Sequence, residues 1–131
     1  MSIKHEKQMT LGKLIEQLES FSLEGKNEYK VYYDFCDFSP NLNFDSYRGY
    51  YEDLYMGYGW CCFEHVPEVQ KILKHIKQNV LHQTFVGYKG GEFYMDESTA
   101  LWVSEYGCVS NTFPTNLREF DGRIVIETMH R

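Results

Sequence analysis

Val69, Ile72, Leu73, Ile76 and Val80 recur at the spacing of one helix face, and so continuous an apolar stripe has to be covered by other apolar groups. Pro67 reads as a first-turn proline, and Glu68 follows near the positive end of the helix. Lys71, Lys74, His75 and Lys77 fall on or beside the outer face, where a lysine row reads as solvated surface. A second stripe, Leu11, Leu14, Ile15 and Leu18, follows Thr10 as its N-cap and predicts a helix through about Ser20, with Glu16 and Glu19 on the wet side. Most of the remaining apolar residues come in short aromatic or β-branched runs broken by glycine, which is the pattern of strands.

Residues 29–36 read as a first strand, with Val31, Tyr33 and Phe35 alternating against Lys30, Tyr32 and Asp34. Residues 37–46 read as a loop, because Ser39-Pro40-Asn41 is a turn signal. A strand is predicted over 51–58, with Leu54 and Met56 inward. Phe85-Val86 then leads into the turn Gly87-Tyr88-Lys89-Gly90-Gly91, and 92–95 returns from it. Asp96-Glu97-Ser98 turns the chain again. In the next strand, 100–103, Leu101 and Val103 lie on one side and Trp102 on the other. Residues 109–122 carry Asn, Pro, Thr and Gly and are expected to wander before a final strand over 123–128. The fold expected is α+β, two helices packed on a small, mostly antiparallel sheet, with residues 1–8 a flexible N-terminus and 9–131 a single domain. A chain of 131 residues is long enough to bury its own core without a metal or disulfide.

Acidic residues exceed Lys and Arg by 19 to 13, for a formal net charge of −6, and no long basic stretch offsets them, which argues against general nucleic-acid binding. No apolar run approaches the roughly 20 residues that cross a bilayer, and the N-terminus lacks the apolar core of a signal peptide, so a cytoplasmic chain without a membrane partner is expected. Of the four cysteines, Cys61 and Cys62 are adjacent and no CxxC pair exists. Reduced, buried thiols are therefore expected for Cys36, Cys61, Cys62 and Cys108, and no metal or other cofactor. His65, His75, His82 and His130 lack metalloenzyme spacing.

Two segments stand apart from the scaffold. Ser46-Tyr47-Arg48-Gly49-Tyr50-Tyr51 and Gly87-Tyr88-Lys89-Gly90-Gly91 each put a cation between a tyrosine and a glycine. Glycine lets the backbone turn or approach another group, the cation brings charge-assisted donors, and tyrosine adds a flat face with a polar tip. Arg48, Lys89, Tyr47, Tyr50, Tyr88, Gly90, Gly91 and Trp102 accordingly form the candidate set for a small anionic, nucleotide-like ligand, on the expectation that Arg48 and Lys89 border one concavity. The alternatives are an ordinary tight turn at 87–91 and an Arg48 that pairs with Asp45 or Asp53 to hold its own loop. Eleven tyrosines also suit a protein-binding surface, or simply the rims of strands. No catalytic signature accompanies these segments: Glu52-Asp53 and Asp96-Glu97 are neighbours that a strand would point apart, and GxxxxGK[ST] is absent. An enzyme would need His82, Glu92 and Lys89 to converge.

Ser46 to Leu54, Gln83 to Met95, Thr99 to Trp102 and Tyr106-Gly107, together with the opening Met9-Thr10-Leu11-Gly12-Lys13-Leu14, resemble a family of small accessory proteins carried by bacteriophages. The resemblance covers about residues 9–107. It implies a short helix before the first strand, no enzyme class and no catalytic residue, and a host-interference role in the host cytoplasm: sequestering a defence signal or, alternatively, inhibiting a host defence protein. Residues 111–131 lie outside it. Their apolar run Ile124-Val125-Ile126 suggests an outer strand that pairs across a twofold axis to give a homodimer.

Overall fold

The computed structural model describes residues 5–35, 38–60 and 66–131. In chain order the elements are α1 (Leu11–Leu23), β1 (Val31–Tyr33), β2 (Phe38–Tyr47), β3 (Tyr50–Trp60), α2 (Val69–Asn79), β4 (Gln83–Val86), β5 (Glu92–Met95), β6 (Leu101–Val103), β7 (Thr112–Phe120) and β8 (Arg123–His130). This is an α+β fold, with two helices against a small and mostly antiparallel sheet. The strands pair in three ladders, β1-β8-β7, β2-β3-β6 and β4-β5, and only β1 with β8 and β3 with β6 run parallel.

Both helices form where their stripes put them. Thr10 Oγ1 accepts from the Lys13 amide at 3.2 Å, and Leu11, Leu14, Ile15 and Leu18 are buried. In α2, Val69, Ile72 and Ile76 are buried, and Val80 caps the helix and is buried too. Pro67, expected in the first turn, instead precedes the N-cap Glu68; its carbonyl accepts from the Val31 amide at 2.9 Å, so the proline joins the helix start to β1. The two helices, Val31 and Tyr33 of β1, Leu54 and Met56 of β3, Leu101 and Val103 of β6, and Ile124 and Ile126 of β8 share one core. Trp102, on the other face of β6, belongs to a second cluster with Tyr47, Tyr55 and Phe113.

The segment just before α1 ties two of the ladders together. The Met9 amide donates to the Pro114 carbonyl of β7 at 2.8 Å, and the Met9 carbonyl accepts from the Leu101 amide of β6 at 3.0 Å. Leu11 and Gly12, whose amides begin the helix and lack intrahelical acceptors, donate instead to Thr99 and Glu97 carbonyls. Within the segment expected to be flexible, Gln8 Nε2 donates to the Leu101 carbonyl at 2.7 Å, and the His5 ring lies 5.2 Å from that of Phe113.

Three expectations need correction. Of the residues read as loop, 38–46 belong to β2: the turn chemistry is absorbed by an irregularity between the Pro40–Tyr58 and Phe44–Met56 pairs. There Leu42 takes φ 65°, and Asn41 Oδ1 accepts from the Asn43 amide at 3.1 Å, so β2 carries extra residues and the register with β3 shifts across them. Residues 112–120, expected to wander, are β7. Asp121 (φ 51°) and Gly122 (φ 78°) make a two-residue hairpin turn into β8, with Phe120 paired to Arg123. Finally, β8 lies between β1 and β7, so Ile124-Val125-Ile126 has no free edge with which to pair across a twofold axis. Of the expected first strand, Val31–Tyr33 is β1 and Cys36 lies outside the described residues.

Candidate functional site

Three loops meet at Arg48. The first is its own turn: β2 and β3 are joined by Arg48-Gly49, closed by the Tyr47–Tyr50 pair. Gly49 is required by a close approach, since a Cβ there would sit 2.5 Å from Cε2 of the Tyr47 ring. The second loop follows β6. The Gly107 carbonyl accepts from the Arg48 amide at 3.0 Å, Ser104 Oγ donates to the Cys108 carbonyl at 2.8 Å, and the Tyr47 hydroxyl accepts from the Ser110 and Asn111 amides at 2.9 and 3.2 Å. The third is the 87–91 loop between β4 and β5, whose hairpin leans on β3 through Phe93 and Tyr51, ring centroids 6.0 Å apart.

These contacts put the Arg48 guanidinium over the Tyr88 ring, its Cζ 3.8 Å from the ring centroid. Stacking holds the guanidinium and leaves most of its edge donors, Nη1 toward Cys108 excepted, for an acceptor. Arg48 Nη1 lies 3.5 Å from Cys108 Sγ, and Arg48 makes no ion pair among the described residues. The two carboxylates that might have held it are engaged elsewhere: Asp45 Oδ1 accepts from the Ser46 amide at 2.7 Å, and the buried Asp53 accepts from Trp102 Nε1 at 2.9 Å. Beside Arg48 lies a concavity of about 150 Å³ lined by Asp45, Ser46, Arg48, Tyr55, Val86, Tyr88, Tyr106 and Gly107. The Tyr55 hydroxyl accepts from Asn43 Nδ2 at 2.9 Å, and burial holds that phenol above its ordinary pKa, so it stays a neutral donor.

The candidate residues are divided by their placement. Arg48 and Tyr88, some forty positions apart in sequence, are brought together. Tyr47 and Trp102 are core: their rings stack at 4.7 Å and 6°, Trp102 is fully buried, and Phe113 meets it edge-on at 6.0 Å. Tyr47 still serves the site by anchoring the 110–111 amides. Tyr50 is half-buried, tilted against Trp102 at 5.8 Å, with its hydroxyl accepting from Arg131 Nη1 at 3.3 Å. Gly90 (φ 93°) and Gly91 (φ 85°) shape the loop, in which the Gly87 amide donates to the Gly91 carbonyl at 3.0 Å and the Gly90 amide to the Gly87 carbonyl at 2.9 Å. Lys89 is exposed next to Tyr88 and does not line the concavity.

Sequence reasoning missed Tyr106, Val86 and Tyr55, and named Asp45 only as a carboxylate that would hold Arg48. Tyr106 is 73% exposed and Val86 65%, unusual for such side chains, but no spacing along the chain announces that they neighbour Arg48. Cys108, expected to be buried, is exposed. Cys61, Cys62 and His65 lie outside the described residues. The convergence an enzyme would need is not formed. His82 pairs with Glu97 at 2.9 Å beside the Met95 end of the β4–β5 hairpin, whereas Glu92 and Lys89 belong to its opposite, loop end. Among the described residues no three His, Cys, Asp or Glu side chains gather closely enough to hold a metal ion, and no helix is long and apolar enough to cross a membrane. No protein-family profile, curated protein or solved structure matches the chain.

Proposed function

We propose that the chain is a phage-type accessory binding protein that sequesters a small anionic, nucleotide-like host signal at the three-loop site. The observation that carries this reading is Arg48 itself, an exposed guanidinium stacked on Tyr88 and free of any ion pair among the described residues, at the mouth of a concavity. A phosphate gripped by its edge would contribute about 1.5–3 kcal/mol and a base stacked on a tyrosine about 1–3 kcal/mol, enough together for roughly millimolar affinity. At about 150 Å³ the concavity is smaller than the roughly 300 Å³ of the smallest ordinary ligand sites, so it takes one polar group while the rest of the ligand lies over Tyr88 and Tyr106. Asp45 on the same wall disfavours a dianion. It favours a ligand that pairs its phosphate with a donor edge, such as the amino group of a base.

The test is calorimetry with mono-, di- and cyclic nucleotides against wild type and Arg48→Ala. Micromolar to millimolar binding by one of them, weakened at least about tenfold in the variant, supports the reading. Absence of heat at millimolar concentrations of every nucleotide overturns it.

A second reading rests on a different observation. Val86, Tyr88 and Tyr106, all more than half exposed, adjoin Arg48, and tyrosine with arginine is the composition of protein-interface anchors. In this reading the site inhibits or recruits a host defence protein. Capture from host lysate that fails equally with Tyr106→Ala and Arg48→Ala protein as bait would favour it, and capture unchanged by both would exclude it.

A further inference from the structure

A second concavity, larger than the one beside Arg48, includes Ser110 in its lining. It measures about 430 Å³ and is lined by Phe35, Tyr58, Val103, Ser110, Thr112, Thr128, Met129 and His130. That volume falls within the roughly 300–1,000 Å³ of small-molecule sites. Its walls come from two ladders, Tyr58 and Val103 from the β2-β3-β6 ladder and Thr112, Thr128, Met129 and His130 from the β7–β8 hairpin.

We propose that this cavity binds a small organic cation, an alkylated ammonium group on a short polar or apolar body. Three features of the walls point to that chemistry. Phe35 and Tyr58 meet at 82° with centroids 5.4 Å apart, which forms an aromatic corner, and Tyr33 and Phe38 brace it from behind, Tyr33 stacked on Phe35 at 5.1 Å and Phe38 against Tyr58 at 5.0 Å. Rings at right angles offer π-electron density to a cation from two directions, and a methylated ammonium gives up little hydration on entering. Met129 adds a polarisable thioether to the wall.

The surrounding charge has the matching sign. The Asp34 carboxylate accepts from the amide and hydroxyl of the lining residue Thr128 at 2.8 and 2.6 Å, which fixes an anion directly behind the wall. Glu105 is close enough to Tyr58 to help raise that phenol's pKa, after burial. The one guanidinium next in sequence, Arg131, is drawn away to the Tyr50 hydroxyl. The His130 ring is held to the wall, its Nδ1 3.1 Å from Thr112 Oγ1. The hydroxyls of Ser110 and Thr112 are bonded to backbone carbonyls, which leaves the aromatic corner as the principal recognition element.

Choline and 3,3-dimethylbutan-1-ol have the same shape and differ in charge. Titrating each into isotopically labelled full-length protein, and following amide and methyl shifts, separates cation recognition from plain cavity filling. The expected result is saturable choline binding at about millimolar Kd, about fivefold or more tighter than the neutral alcohol, with the largest shifts at Tyr58, Thr128 and Met129. Glu105→Gln, an exposed change that leaves the fold alone, should weaken choline about twofold, and Met129→Trp should fill the cavity and abolish binding. Equal affinity for the two compounds, no saturation by choline, or shifts confined to residues outside the cavity would overturn the proposal. Because Arg48→Ala leaves this cavity untouched, it should not change choline binding.

Discussion

Arg48 illustrates how far a single residue could be read. Its chemistry was legible in the sequence, because an arginine between tyrosine and glycine at a turn has few uses, and the 3.8 Å stack on Tyr88 draws on that chemistry. What the stack does not share with the sequence is its partner list. Lys89, also between a tyrosine and a glycine, does not line the concavity, while Tyr106 and Asp45 do. Trp102 and Tyr47 were misleading for a related reason: a ring that can stack on a ligand can equally stack on another ring, and only burial decides which. At this scale Arg48→Lys should leave stability within about 0.5 kcal/mol in chemical denaturation, since the side chain is exposed. It should cost nucleotide affinity about tenfold in calorimetry, because a lysine keeps the charge and loses both the planar stack and the two-pronged grip. Tyr33 gives a second prediction. Its buried hydroxyl donates to the Gly57 carbonyl at 3.0 Å, and burial raises its pKa well above the ordinary phenol value. The folded state therefore holds this proton after the unfolded chain has released it, so stability is intact below about pH 10 and falls as the pH rises beyond that. Urea titrations of Tyr33→Phe should show a loss of about 1 kcal/mol at neutral pH and a shallower alkaline decline than wild type.

At the scale of elements, the helices and the strands with alternating burial were readable because their periodicity is local. Two strands were not. In β2, Pro40 and the asparagines are turn formers, yet the β3 partner supplies enough pairing on both sides of them to carry the irregularity as part of a strand. In β7, Pro114 and Asn116 conceal a second irregularity of the same kind. The signal that could have found it is Asp121-Gly122, a two-residue turn pair between two runs of strand length, which was there to read. The same ladder shows how an edge is covered: Gln17 of α1 takes the outer side of β7, its Oε1 accepting from the Leu117 amide at 2.7 Å and its Nε2 donating to Asn116 Oδ1 at 2.8 Å. Gly122→Ala should destabilise the protein by about 1–2 kcal/mol in urea unfolding, because φ 78° is costly for any residue with a Cβ. An unchanged midpoint would mean that the turn forms differently.

For the whole molecule, the organisation depends on contacts between residues far apart in sequence, which no periodicity encodes. Two of the three ladders are joined by Met9, whose backbone bridges β6 and β7 while its fully buried side chain enters the main core. Met9→Ala should cost about 2–5 kcal/mol, and helix signal and aromatic near-ultraviolet signal should still be lost together, since one residue serves both sides. Separate transitions would show that the two clusters fold independently. The same long-range assembly creates the site. Turn 48–49, loop 87–91 and segment 104–108 each carry one part of it, and none is a site alone.

The most direct measurement follows the side-chain Nε–H of Arg48 and the backbone amides of all three loops while 3′,5′-cyclic adenosine monophosphate, a monoanion with an amino edge, is titrated into labelled protein. The account predicts that Arg48, Tyr88 and Gly107 shift together along one saturation curve, and that the curve disappears in Arg48→Ala. Shifts restricted to a single loop, or none at millimolar nucleotide, would contradict it.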